Sequence, residues 1–574
     1  MKNREIAEIF ETIADLLEIK GEAIYRVVAY RRAGEILRTL GRDVNKIWEE
    51  GDLETIPGVG KAIAAKIDEL LRTDHLEFYE KLTAEVPPGL AKVLKVGGVG
   101  PKKAARFWKE LGITAIDELE QAAKKGRLHQ LSGIGERSEA RILENIISLK
   151  RHHTERVLLG QAWATAQKLL SRLRELEGVQ RAEAAGSLRR MRETIGDLDL
   201  LVGAEDTLLV SKAFVAFPEV DRVLGQGETK VSVELIDGLR VQLWVHPPER
   251  FGSALQFATG SQRHNVRLRE AAQKVGLSLS EHGYQDQDGG LIFCPEEEEV
   301  YTVLGLPWIP PALREDRGEI KAAKDGELPQ LVELEDLRGE LHTHSDWSDG
   351  KSSITEMADA AIELGMEYLV ISDHSRSLGI AGGLSIEDLH AQRAEIKRVQ
   401  KKIGKKLTLL QGSEVEILAN GELDYPDEVL QELDIVIASL HTSMRQPRDQ
   451  VTGRLLRTIM NPHVDIIAHL TGRIIGKRDL ADLDIEAILQ AAAEHGVVLE
   501  INSNPERLDL KDTHARRALE SGCRLVVTTD AHHPDHFAFR RFGVGTAQRA
   551  WAEAPAIVNT WPLDRLQAWL KSRG

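Results

Sequence analysis

Cysteine is nearly absent: Cys294 and Cys523 are the only two in 574 residues, and they lie in different parts of the chain. So small a number argues against a disulfide framework and points to a reducing, cytoplasmic setting. Long apolar runs are missing too. The N-terminal stretch MKNREIAEIFETIADLL is amphipathic and carries acids, so neither export nor membrane insertion is expected. Nor is there an excess of positive charge: 75 Lys and Arg against 91 Asp and Glu give a formal charge of −16. That average does not exclude nucleic acid. Acids concentrate at 296–299 and in the C-terminal part, while Lys92, Lys95, Lys102, Lys103, Arg106 and Lys109 crowd one short region, and a phosphate binder needs only a local basic stripe.

What is present is metal-ligand chemistry. Residues 340–350 read ELHTHSDWSDG, in which an apolar strand ends in His342 and His344, spaced so that both imidazoles share a face, with Asp349 able to fold back. The pattern of an apolar run ending in a ligand-type residue returns at His374, Glu414, His441, His469, and Asp530 with His532; VVLEINS adds Glu500 and Asn502. Helical stretches such as 354–364 and 386–403 alternate with these strands, which predicts βαβ units with the ligands at the strands' C-terminal ends. For one histidine alone a packing role is the simpler reading; for nine such residues ending consecutive strands it is not. Imidazoles and carboxylates without thiolate suit two or three Zn²⁺, Mn²⁺ or Fe²⁺ ions that activate water and clamp a phosphate. The motifs HxH with SDG, SDH, GxE, SLH, AH before TGR, and TDAH resemble the PHP family of metal-dependent phosphoesterases over roughly 336–574. That likeness implies that His342, His344, Asp349, His374, Glu414, His441, His469, Asp530 and His532 are metal ligands. Arg473, in the TGR triplet, is expected to offset charge developing on a phosphodiester.

The N-terminal half carries three apolar-x-Gly-apolar-Gly turns before helical segments, at Gly58 and Gly60, Gly98 and Gly100, and Gly133 and Gly135. Such turns leave free N–H groups for a phosphate. Repeated three times, they look like helix-hairpin-helix DNA-backbone binding, without base readout. Further on, a helix over 162–176 and a strand lead to a Gly186-Ser187 turn, then Arg190, then a strand with Asp197 and Asp199 on one face, suited to paired Mg²⁺.

This arrangement resembles the palm of family X DNA polymerases. The likeness extends backward to a lyase domain with Lys66 at the Schiff-base position and Tyr30 nearby. It extends forward to a nucleotide-binding thumb with Gly260, Ser261, Asn265 and Arg269; Arg156 falls at a triphosphate arginine. Two positions depart from that family: Gln242 stands where a third catalytic aspartate is expected, and Phe257-Ala258 replaces an aromatic pair. The expected organisation is multi-domain α/β: a lyase-like helical domain (1–85), a fingers-like helix-hairpin-helix domain (86–155), an α+β palm (156–246) and thumb (247–318), a linker (319–335), and a distorted (β/α)7 PHP barrel (336–574). The likeness implies a DNA-repair enzyme acting on gapped, nicked or 3′-ended DNA with deoxynucleoside triphosphates, joining gap-filling synthesis to 3′→5′ exonuclease action; a monomer is expected. The alternative is a polymerase-dead DNA-binding scaffold carrying a working nuclease.

Overall fold

The computed structural model of the chain describes residues 1–56, 58–151 and 156–573. It divides into two compact units, residues 1–155 and 156–574. The first is helical. Helix α1 (Asn3–Lys20) buries Ile6, Phe10, Ile13, Leu16 and Leu17, following its apolar periodicity. Helices α2 (Lys61–Thr73), α3 (Pro101–Leu111) and α4 (Glu136–Arg151) each open directly after one of the glycine turns. The first glycine of each turn, Gly58, Gly98 or Gly133, takes a left-handed φ of 83°, 84° or 78°, which a side chain would disfavour. The second, Gly60, Gly100 or Gly135, has open space where a Cβ would point, so a backbone phosphate meets no obstruction there. Packing does not break near residue 85: one hydrophobic core runs from Ile6 to Ile146, and Lys20 pairs with Glu85 at 2.6 Å.

The second unit begins with a sheet of strands β1 (Val179–Ala184), β2 (Asp197–Ala204), β3 (Val220–Gln226), β4 (Lys230–Leu235) and β5 (Arg240–His246). Their order is β1-β2-β5-β4-β3, with β2 and β5 parallel and the other pairs antiparallel. Strand alternation sends Leu198, Leu200 and Val202 of β2 and Val241, Leu243 and Val245 of β5 into the core. The opposite face is left with Asp197, Asp199, Arg240 and Gln242. Helices α5 (Phe251–Thr259) and α6 (Gln262–Lys274) follow, meeting at Gly260 and Ser261.

The last part is a parallel sheet of seven strands in sequence order: β6 (Gly339–Glu340), β7 (Tyr368–Ile371), β8 (Thr408–Glu416), β9 (Ile435–Ser439), β10 (Ile466–Ile467), β11 (Val498–Asn502) and β12 (Leu525–Thr528). A bridge between Thr343 and Ala531, just beyond the first and last strands, nearly closes it into a barrel. Helices alternate with the strands, among them Ile386–Ile403, α7 (Asp512–Glu520) and α8 (Arg540–Arg549).

The stretch 319–335 is not the extended linker that its charge suggested. It forms a helix over Glu319–Asp325, accepts a buried contact from His264 to Glu319 at 2.8 Å, and drives Val332 fully into the barrel's core. The barrel is correspondingly fixed against the sheet, whose core includes Leu508 and Phe542. Ion pairs tie the junction. Arg549 of α8 pairs with Glu315 at 2.9 Å and Asp512 at 2.7 Å, and donates to the Arg190 carbonyl at 2.8 Å. Its side chain is 3% exposed. Removing one partner of a buried charge network leaves uncompensated charge and costs about 3–5 kcal/mol. Arg549→Ala is therefore expected to lower the melting temperature clearly; an unchanged melting curve would contradict this account of the junction.

Candidate metal centre and carboxylate site

Every expected barrel ligand lies at the C-terminal rim. His342 and His344 follow β6, His374 follows β7, Glu414 lies near the end of β8, His441 and His469 follow β9 and β10, and Asp530 and His532 follow β12. Glu414 is their hub. Its carboxylate meets His342 at 3.4 Å, His344 at 3.5 Å, His374 at 3.0 Å, His441 at 3.4 Å and His469 at 2.9 Å. Asp530 reaches His344 at 3.1 Å, and Asp349 reaches His532 at 3.3 Å and His374 at 3.6 Å. Three groups are close enough to hold an ion: His344, Asp349, His374 and His532; His342, His344 and Asp530; and His374, Glu414 and His441. His344 and His374 are shared between groups, the pattern of a multi-ion cluster. The backbone is held at positive φ at His469 (27°) and Asp530 (52°), a cost of the kind that clusters at functional sites.

Electrostatics fit a cation here. Burial opposes ionisation of Glu414, yet His374, His441 and His342 hold its carboxyl well below the usual range. Burial likewise opposes protonation of His374, but Glu414 and Asp349 more than offset it and raise the imidazole to about 10. His344 goes the other way: burial, then His374, pushes it down to about 4. Its buried Nδ1 has no hydrogen-bond partner, a vacancy that a metal would fill. The donor set of imidazoles and carboxylates fits divalent ions bound without thiolate, and both cysteines are buried and free.

Supporting carboxylates surround this cluster. His342 Nδ1 meets Glu500 at 2.6 Å and His441 Nδ1 meets Glu416 at 2.9 Å, contacts that orient ligand rings. Asn502 donates to Asp530 at 3.1 Å. Glu416 was readable from its position two residues after Glu414 on one strand, yet it was not singled out. Arg473 does not face the cluster as expected: its guanidinium pairs with Glu193 of the sheet module at 2.8 Å and donates to the Leu508 carbonyl.

In the sheet module, Asp199 and Gln242 are direct register partners on β2 and β5, as are Asp197 and Arg240. The Gln242 amide donates to Asp197 at 3.1 Å. Glu234, which could have supplied a replacement charge, instead pairs with Arg222 at 3.2 Å. Gly186 is obligatory, since a Cβ would lie 2.1 Å from Asp199 Oδ2. Arg156 bonds Thr194 at 2.8 Å and packs beside Gly196. Arg190 Nη1 lies against Gly260 and donates to the Thr259 carbonyl, while its Nε pairs with Glu315 at 3.1 Å. Ser187 sits in the turn Gly186–Arg189, and Ser261 caps α6. Asn265 is committed to Phe257 and Gln256, each at 2.8 Å, and Arg269 donates to the Asn265 carbonyl at 3.3 Å. In the helical unit, the Lys66 ammonium lies 5.2 Å from the Phe78 ring centroid. Tyr30 stacks on that same ring.

Family profiles match four segments: a helix-hairpin-helix domain at 1–76, a SAM-like helix-hairpin-helix tandem at 90–146, a DNA polymerase beta thumb at 254–315, and a PHP domain at 340–504. The chain is 37% identical, over the full length of both, to a protein of Bacillus subtilis named DNA polymerase/3′-5′ exonuclease PolX. It belongs to the bacterial family X DNA polymerases with a C-terminal PHP domain. Rat DNA polymerase lambda is 27% identical over 54% of this chain and 56% of its own length. A probable phosphatase of Thermoanaerobacter sp. is 34% identical over 34% of this chain and 78% of its own length.

Asp199 supplies a pH test of the palm. Burial, then the neighbouring Asp197 charge, raises it to about 6. A divalent ion needs the ionised carboxylate and competes with its proton, so affinity for Mg²⁺ with a deoxynucleoside triphosphate is expected to fall as pH drops through about 6. Calorimetric titrations check this; affinity that stays level between about pH 5 and about pH 8 would contradict it.

Proposed function

We propose that this chain is a DNA-repair enzyme that processes 3′ ends, with a metal-dependent 3′→5′ exonuclease in the barrel and a gap-filling polymerase site in the palm that Gln242 leaves strongly impaired. The observation that carries the nuclease is the meeting of five imidazoles on the Glu414 carboxylate, with Asp349, Asp530 and His532 completing the cluster. When bound, two or three Zn²⁺, Mn²⁺ or Fe²⁺ ions would supply Lewis acidity toward a phosphodiester. The protein's own part is to hold the rings: Glu500 and Glu416 fix His342 and His441 from behind. The three glycine turns, open on their outer side, support binding of DNA backbone in the helical unit. Mn²⁺-stimulated degradation of single-stranded or gapped DNA from its 3′ end is expected, and His342→Ala/His344→Ala should abolish it. Equal degradation by that variant would assign the nuclease to another site.

At the palm, Asp197 and Asp199 share a face and can hold a Mg²⁺ ion with the triphosphate, which Gly186, Arg156 and the Gly260 turn approach. The third position is an amide. It can offer a carbonyl oxygen to a cation but cannot accept the proton of a primer 3′-hydroxyl, and losing a general base costs about 10²–10⁴-fold. The amide N–H is turned toward Asp197. Single-turnover primer extension is expected to be very slow in the parent and faster in Gln242→Asp. Brisk extension by the parent, unchanged by that substitution, would remove the impairment and leave a complete polymerase.

A further inference from the structure

A charge imbalance at the junction of palm, thumb and barrel belongs to neither site. Arg549, Arg190 and Arg192 converge on Glu315, Arg549 and Arg317 on Asp512, and Arg473 on Glu193. Lys511 stands among them, facing Arg473, Glu193, Asp512 and Arg317. Asp509 also faces Arg473, so six cations answer to four carboxylates. The ammonium of Lys511 has no hydrogen-bond or ion-pair partner among the described residues, and burial, then Arg473, holds it below the usual lysine range. Beside it His514, 6% exposed, has a buried Nδ1 with no partner, as does the buried Nε of Arg473. Partly buried cations and unsatisfied donors are costly to leave uncompensated. An anion removes both costs at once.

Chain topology places this cluster. Arg473 lies on the loop that carries His469, and Lys511 ends the loop after β11, so both belong to the barrel's ligand-bearing rim. Glu193, which Arg473 grips, lies four residues before Asp197. The Arg473–Glu193 pair thus joins the barrel's ligand-bearing rim to the segment that leads into Asp197. We propose that Lys511, with Arg473, Arg317 and Arg192, forms a phosphate seat that holds the backbone of a DNA 3′ strand between the palm and the barrel's metal cluster. This rests on the nuclease reading above. Phosphate oxyanions could come from a DNA strand or from a nucleoside triphosphate; the placement of Arg473 and Lys511 on the nuclease rim favours the strand.

The test uses the full-length protein and two substrates: a single-stranded thymidine oligonucleotide, and bis(p-nitrophenyl) phosphate, a small phosphodiester that reaches the metals but has no second phosphate to seat. A hydrogen bond to a charged group corresponds to about a tenfold effect or more. Lys511→Gln is expected to lose about tenfold more kcat/KM on the oligonucleotide than on the small diester, mostly through KM, and Lys511→Arg should recover most of it. Equilibrium binding of the oligonucleotide in EDTA should weaken in the same order. Its salt dependence, log Kd against log salt, should flatten by about 0.7, the share of one phosphate on a single strand. Equal losses on the two substrates would make Lys511 a support for the metal cluster and overturn the seat, as would no loss on either. Weakened binding of a Mg²⁺-bound nucleoside triphosphate with the oligonucleotide unaffected would also overturn it, because the phosphate held would then be the nucleotide's. A parent protein that hydrolyses neither substrate but binds the oligonucleotide through Lys511 would leave the seat standing and overturn the nuclease reading instead.

Discussion

Glu414 is a carboxylate with no access to water, encircled by five imidazoles that reach it within 3.5 Å. Such an arrangement is a poor way to stabilise a fold. Rings crowded around one anion cannot all be protonated, since each cation repels the next, and cannot all be neutral without leaving ring nitrogens unsatisfied. The opposed behaviour of His374, pushed up to about 10, and His344, pushed down to about 4, expresses that conflict. Divalent ions resolve it by accepting lone pairs from the neutral rings while neutralising the acids. The barrel's architecture follows from this requirement: six of the seven strands deliver a donor at the same rim, and β11, which delivers none of the nine, contributes Glu500 to orient His342 and Asn502 to hold Asp530.

The palm is built on the same logic with less charge. Two carboxylates share a face of β2, and burial, then the neighbouring Asp197 charge, already makes Asp199 reluctant to ionise. A third carboxylate on β5 would deepen that reluctance and strengthen the pull on a second ion; Gln242 removes both effects in one substitution. Its amide bonds to Asp197, so this face carries one negative charge fewer than a face with three acids. The barrel shows no corresponding loss. Palm, thumb and barrel are nevertheless packed as one body, with Leu508 and Phe542 in the palm's core and Arg549 bridging Glu315 and Asp512.

Much of this was legible in the sequence, for a physical reason. A ligand at the end of a buried strand, a glycine forced to positive φ, and paired acids on one strand face are local requirements, so His374, Gly58 and Asp199 announce themselves by their neighbours. The helix Ile386–Ile403 was bounded correctly because its serine cap and terminal glycine are local as well. What was not legible depends on partners far along the chain. Residues 319–335 looked like a linker because their burial is against His264 and the barrel core. Arg473 was expected at the phosphodiester being cleaved because its triplet follows His469, whereas its partner Glu193 lies in another domain. The excess of cations around Lys511 is assembled from four separate segments, none of them unusual alone.

The account's central claim is that Glu414 holds a divalent cluster together, and elemental analysis tests it most directly. The full-length protein, dialysed against metal-free buffer and measured by inductively coupled plasma mass spectrometry, should retain two or three divalent ions per chain. Glu414→Gln, which keeps the shape but removes the charge, should retain fewer by at least one. Identical metal content in the two proteins would contradict the claim.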